Sequence, residues 1–145
     1  MLIENKKIEK ICSFYVSDFH LEMILLPYIN KKIEENAKIV IQTEKDLTDS
    51  INVLMSKTNL TNENKEKILN LGWDKNNNIE IEEFSNIIVI GSKQYIEDKN
   101  REIEKLKIDR VNVLNCYDFE EIKDDICTIK EGYDKILNTL GNNNF

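Results

Sequence analysis

Residues 11–22 read Ile-Cys-Ser-Phe-Tyr-Val-Ser-Asp-Phe-His-Leu-Glu. The apolar run ends at Ser17 and Asp18, and residues that suit a helix follow, so the pattern predicts a buried strand with polar groups at its carboxyl end. Three later segments repeat this order of apolar run and polar end, and they are 37–43, 87–92 and 111–118. We therefore expect four strands that lie side by side and point the same way.

Helical spacing of apolar residues separates these strands and predicts helices over about 19–36, 46–57, 62–71 and 94–107. Strands that alternate with helices favour a mostly parallel sheet covered on both faces. The predicted fold is a single-domain three-layer α/β/α sandwich with four to five strands, Rossmann-like or flavodoxin-like. Pro27 lies inside the first predicted helix, so we expect a kink near Met23 or a helix that begins near Leu26.

The C-terminal segment has apolar residues at alternating spacings of three and four, from Phe119 to Leu140. This pattern predicts one long amphipathic helix over 119–140. Packing of that helix on its own sheet is the simpler expectation, and a homodimer formed through it is the alternative. The single domain then covers 1–145, with a polar lead-in at 1–10 and a frayed tail at 141–145.

Composition narrows the classes of function. The net charge of −7 opposes non-specific binding to nucleic acid or to an anionic membrane surface. The three cysteines are far apart in sequence and odd in number, and no signal-peptide or membrane-spanning pattern is present. These features predict a cytoplasmic protein without a disulfide framework. Cys12 and Cys127 lie on apolar stripes and are expected in the core.

In parallel sheets of this kind the ligand site lies beyond the carboxyl ends of the strands. That rule brings the polar residues at the four strand ends to one edge, where we expect a protein partner or a small anionic ligand to bind. No cofactor and no metal are expected. The candidate ligand-binding residues are Ser17, Asp18, His20, Thr43, Glu44, Gly91, Ser92, Asn115 and Asp118.

The segment Val16-Ser17-Asp18-Phe19-His20-Leu21-Glu22 places D-x-H after an apolar strand. It resembles the first metal motif of the calcineurin-like metallophosphoesterases, in which the Asp and the His bind metal ions that activate water. The resemblance implies metal-assisted hydrolysis of a phosphate ester. His20 is the only histidine of the chain, however, and the later motifs of that family are missing. Capping of the following helix by Asp18 is the simpler interpretation.

The other motifs are weaker. Residues 74–85 begin like a calcium-binding EF-hand loop, but Ile79 replaces the glycine at position six and Ser85 the glutamate at position twelve, so we interpret them as a surface turn. Cys116 stands at a strand end, but its acidic neighbours disfavour a reactive thiolate. A non-catalytic binding or regulatory protein is therefore the favoured hypothesis. The alternative is a Mg²⁺-dependent phosphate-handling hydrolase that uses Asp18, His20 and Ser92.

Overall fold

The computed structural model describes residues 8–75, 80–108 and 110–138, and the backbone of 141–144. Strands and helices alternate over most of this length. Their bounds are β1 (Ile8–Tyr15), α1 (Asp18–Glu34), β2 (Ile39–Thr43), α2 (Thr48–Met55), α3 (Asn62–Leu69), β3 (Asn86–Gly91), α4 (Lys93–Lys105), β4 (Val111–Asp118), α5 (Phe119–Ile122), α6 (Ile126–Lys130), β5 (Lys135–Asn138) and β6 (Gly141–Asn144).

The strands form one sheet in the order β2-β3-β4-β1-β5-β6. The first five are parallel to one another, and β6 pairs antiparallel with β5. In the central pair of β1 and β4, Ile8 pairs with Val111 and Tyr15 with Asp118. The four strands that the sequence predicted are thus neighbours with one shared direction, which confirms the three-layer α/β prediction.

Side chains that alternate along each strand supply two hydrophobic layers. Ile39, Ile41, Ile88 and Ile90 face the layer that contains α1, α2 and α3. Val40, Ile87 and Val89 face the opposite layer, which contains α4 and the short helices α5 and α6. Because β3 is buried on both faces, it reads in the sequence as an unbroken apolar run.

Helix α1 is continuous from Asp18 to Glu34 although it contains Pro27. The proline ring removes the bond to the carbonyl of Met23, but both residues are on the exposed side of the helix. Solvent can satisfy that carbonyl at little cost. The prediction that the helix begins near Leu26 was therefore wrong.

The predicted helix over 119–140 is the main error. The chain forms α5 and α6, turns at Gly132, and then adds β5 to the free side of β1. Residues 141–144, expected to fray, pair with β5 as β6. The dimer alternative used this helix and loses that element, while the oligomeric state of the chain stays untested.

The other boundaries shift by a few residues. Ile8, Glu9 and Lys10, predicted as lead-in, are the first residues of β1. Residues 80–85, interpreted as part of a surface turn, form neither a strand nor a helix. Cys12 is buried as expected, whereas Cys127 is exposed. Residues 76–79 of the EF-hand-like segment and Phe145 lie outside the described residues.

A buried polar network ties the C-terminal segment to the sheet. Asn115 of β4 and Asn100 of α4 exchange two amide hydrogen bonds of 3.0 Å. Asn115 Nδ2 also donates to the Tyr133 hydroxyl at 2.7 Å, and that hydroxyl lies 2.6 Å from the hydroxyl of Tyr117. These hydrogen bonds satisfy the buried polar groups and hold Tyr133 in place just before β5.

In the portion of the chain that the structure describes, no helix combines the length and the apolar character needed to cross a lipid bilayer.

Replacing Tyr133 by Phe tests this network. The change leaves the Asn115 amide and the Tyr117 hydroxyl without their shared partner, so we expect a loss of about 1–3 kcal/mol in the free energy of unfolding. Urea denaturation at 25 °C measures the loss. Tyr95→Phe is the control, because Tyr95 is partly exposed and its hydroxyl is not part of this network. Equal stability of the two variants would contradict the assigned role of Tyr133.

Candidate functional site

An open cleft of about 360 Å³ lies at the carboxyl ends of β1, β2, β3 and β4. The loops after β1 and β2 lead to helices on one face of the sheet, and those after β3 and β4 lead to the other face. The cleft opens where these loops diverge, which is the position expected of a ligand site. Its lining residues are Tyr15, Glu44, Lys45, Gly91, Ser92, Asp118 and Glu121.

Gly91, the last residue of β3, is required by close packing in the cleft wall. A Cβ atom added there would lie 2.6 Å from Tyr95 Cδ2 and 2.9 Å from Glu44 Cβ. Either distance is a steric clash. The absence of a side chain at position 91 therefore allows the loop after β2 to approach the first turn of α4.

The amino end of α4 already has negative partners from within the chain. Glu44 Oε1 accepts a hydrogen bond from the backbone N–H of Ser92 at 2.7 Å, and Glu121 Oε1 accepts one from Lys93 at 3.1 Å. Ser92 Oγ accepts from the backbone N–H of Tyr95 at 3.2 Å. A helix amino terminus attracts anions through such donors. Here two carboxylates and a hydroxyl occupy them.

The charge balance of the cleft is negative. Three carboxylates line it, from Glu44, Asp118 and Glu121, and they face one ammonium, that of Lys45. Lys45 Nζ pairs with Asp18 Oδ1 and lies 5.1 Å from the centre of the Tyr15 ring. A further cation is therefore favoured in this cleft and a further anion is disfavoured.

Four of the nine candidate residues line the cleft, namely Glu44, Gly91, Ser92 and Asp118. Asp118 also caps α5 by accepting from the backbone N–H of Glu120 at 3.0 Å. Asp18 is connected to the cleft through its ion pair with Lys45.

The remaining candidates make local contacts outside the lining. Ser17 Oγ, rather than the expected Asp18 carboxylate, caps α1 by accepting from the His20 N–H. His20 Nδ1 accepts from the Val16 N–H at 3.0 Å. Thr43 is buried, and its hydroxyl donates to the Lys45 carbonyl at 2.7 Å within the turn after β2. Asn115 belongs to the buried network beneath α4 rather than to the cleft.

Three lining residues were not singled out in the sequence, and they are Tyr15, Lys45 and Glu121. Lys45 directly follows Glu44, so the rule that selected strand ends could have included it. Glu121 is in the first turn after β4 and reads in the sequence as an ordinary acidic helix start. Only the three-dimensional arrangement shows that it reaches α4.

Few side chains in the described ranges 8–75, 80–108 and 110–138 are suited to metal binding or nucleophilic catalysis. No three His, Cys, Asp or Glu side chains in these ranges lie close enough together to hold a metal ion. Cys116 is fully buried, and burial raises the pKa of its thiol far above the ordinary value. A thiolate nucleophile at this position is therefore strongly disfavoured.

Glu22 is a buried carboxyl behind the cleft, one turn along α1 from Asp18. It is only 3% exposed, and its Oε2 has no hydrogen-bond partner among the described residues. Burial raises the pKa of Glu22, and so does the nearby Asp18, whereas a hydrogen bond with Ser50 and the charge of Lys45 act in the opposite direction. Folding therefore makes this carboxyl easier to protonate than it is in the unfolded chain.

No protein-family model, curated protein or solved structure gives a match to this chain.

Gly91→Ala tests the packing of the cleft wall. The added methyl group must displace Tyr95 or Glu44, so we expect a loss of about 1–3 kcal/mol in the free energy of unfolding. Gly132→Ala is the matched control, since its nearest atom would be the Ile129 carbonyl oxygen at 3.7 Å, an ordinary contact. Urea denaturation of both variants measures the difference. An unchanged midpoint for Gly91→Ala would show that the wall is not tightly packed.

Glu22→Gln tests the buried carboxyl. A pKa that is raised in the folded state makes folding favour the proton, so stability falls as pH rises from the unfolded-state value through the folded-state value. The variant lacks this dependence. Its melting temperature should be close to that of the wild type at pH 4 and exceed it by a few degrees at pH 7.

The control for this experiment is Glu131→Gln, which removes an exposed carboxylate. Parallel curves of melting temperature against pH for the wild type and Glu22→Gln would rule out the assigned effect of burial.

Proposed function

We propose that this chain is a non-catalytic binding protein whose strand-end cleft docks a protein partner. The supporting observation is the occupation of the α4 amino terminus by Glu44 and Glu121. A small anionic ligand, the other candidate, would have to displace these carboxylates and enter a cleft with two excess negative charges. A protein partner needs neither step.

The phosphate-handling hydrolase has less support. That hypothesis requires reactive roles for Asp18, His20 and Ser92. Asp18 pairs with Lys45, His20 Nδ1 accepts from the Val16 N–H, and Ser92 Oγ accepts from the Tyr95 N–H. Each group has the contact of a helix-capping or loop-fixing residue. These contacts already give each of the three residues a structural role that requires no phosphate.

Site-specific photo-cross-linking tests the proposal. A photoreactive amino acid replaces Ser92 at the cleft or, in the control, Glu83 near the opposite edge of the sheet, and both proteins react in an extract of the source cells. We expect a discrete adduct from position 92 only, identified by mass spectrometry. The unlabelled wild-type protein should compete it away, whereas unlabelled Glu121→Lys should compete at least tenfold less well.

A thermal-shift series provides the opposing outcome. Inorganic phosphate and nucleotides, with and without Mg²⁺, are added to the wild type and to Glu44→Gln. A ligand at one hundred times its Kd stabilises a protein by about 2.7 kcal/mol, which a melting curve resolves. Stabilisation of the wild type by phosphate or a nucleotide, or adducts that form equally at positions 83 and 92, would overturn the protein-partner proposal.

A further inference from the structure

An exposed apolar surface lies beside the cleft, at the start of α1. Val16 and Phe19 are each 63% exposed, and Met23 is 41% exposed. Val16 immediately precedes the Ser17 cap, and Phe19 and Met23 are one turn apart on the same side of the helix. We refer to these three side chains as the α1 apolar patch.

The sequence around the patch predicts that Val16 is covered and not exposed. A hydrophobic residue just before a helix cap commonly packs on the residue at the fourth helical position, which here is Leu21. Leu21 is fully buried beneath α1, whereas Val16 points to solvent. Single exposed apolar residues are ordinary, but three within residues 16–23, next to residues that line a cleft, favour an interaction surface.

The patch and the negative cleft are held next to each other. Asp18, which lies between Val16 and Phe19 in sequence, pairs with Lys45 of the cleft lining. Tyr15, the residue before Val16, also lines the cleft and pairs in register with Asp118. A bound segment that covers the patch therefore has Asp118 and Glu121 within reach of its neighbouring side chains.

We infer that the partner contributes a short segment in which a lysine or arginine is flanked by apolar residues, with the cation in the cleft and the apolar side chains on the α1 apolar patch. This inference rests on the proposed function. Charge complementarity selects the cation, since three carboxylates face one ammonium in the cleft. The contact of Lys45 with the Tyr15 ring shows that the wall also accommodates a cation.

The specificity expected from this arrangement has two separable parts. Attraction between the partner's cation and the exposed carboxylates should weaken as salt rises, because these charges are screened. Burial of the patch should be nearly independent of salt in this range. The two contributions can therefore be distinguished by variants measured at low and high salt.

The test uses immobilised ten-residue peptides with a central Arg, Lys, citrulline, Gln or Glu and with Leu, Phe or Ser on each side. We expect the strongest binding with Arg or Lys between Leu or Phe. Citrulline has nearly the shape of arginine without its charge, and it should reduce affinity at least tenfold.

Two variants of the protein assign the contacts. Asp118→Asn with Glu121→Gln keeps an acceptor oxygen at both caps and removes two charges, so it should weaken Arg-peptide binding at least tenfold and flatten its salt dependence. Phe19→Ser should weaken binding about tenfold with the salt dependence intact. The control is Glu83→Gln with Glu131→Gln, which changes net charge equally at exposed positions away from the cleft.

Each remaining outcome is decisive. Selection of Glu-centred peptides, equal binding of arginine and citrulline, no binding by any peptide, or equal effects of the two charge-neutralised proteins would overturn the inference. A cleft-specific cross-link from position 92 would in that case still support the proposed function, with a partner of different chemistry. Loss of that cross-link would instead remove the proposed function itself.

Discussion

The parallel pairing of β1 with β4 is the constraint on which the other features depend. Eight consecutive residues of each strand pair, and the two strands are about a hundred residues apart in sequence. This pairing places the end of β1 beside the end of β4, while the loops that follow go to opposite faces of the sheet. The cleft exists because these loops diverge, and Tyr15 and Asp118 reach it because they are register partners.

The parts of the fold that could be predicted from sequence are those in which burial alone decides the structure. β3 is apolar on both faces, and its sequence allows little else than a central strand. The segment 119–140 is different, because its spacing of apolar residues suits two short helices and a strand as well as one helix. Leu137 faces the layer of α1, and Ile136 faces the opposite layer, as in a strand. The segment forms a strand because the edge of β1 is free to pair with it. Local periodicity contains no information about that free edge.

The candidate site also contains residues that the sequence could predict and residues that it could not. Glu44, Gly91, Ser92 and Asp118 could be predicted because each lies at or just beyond a strand end, and parallel pairing brings strand ends together. Asn115 could not be separated from them by sequence, since only the register shows that it lies inside β4 under Asn100. Glu121 was missed for a related reason. Its role depends on reaching the backbone of α4 from another element, and no local pattern records such a contact.

The carboxylates of Glu44 and Glu121 at α4 distinguish this strand-end cleft from the phosphate sites common in α/β proteins. In many parallel sheets the helix amino terminus at the strand ends is left open, and its N–H groups hold a phosphate. In this chain Glu44 and Glu121 satisfy the first backbone donors of α4, so the helix dipole stabilises the protein itself. Each of these carboxylates has one oxygen engaged in that contact, and its charge still acts on the cleft. The two carboxylates that block an anion site at α4 therefore also create a negative surface beside exposed Phe19. A cationic, partly apolar segment complements this surface and Phe19.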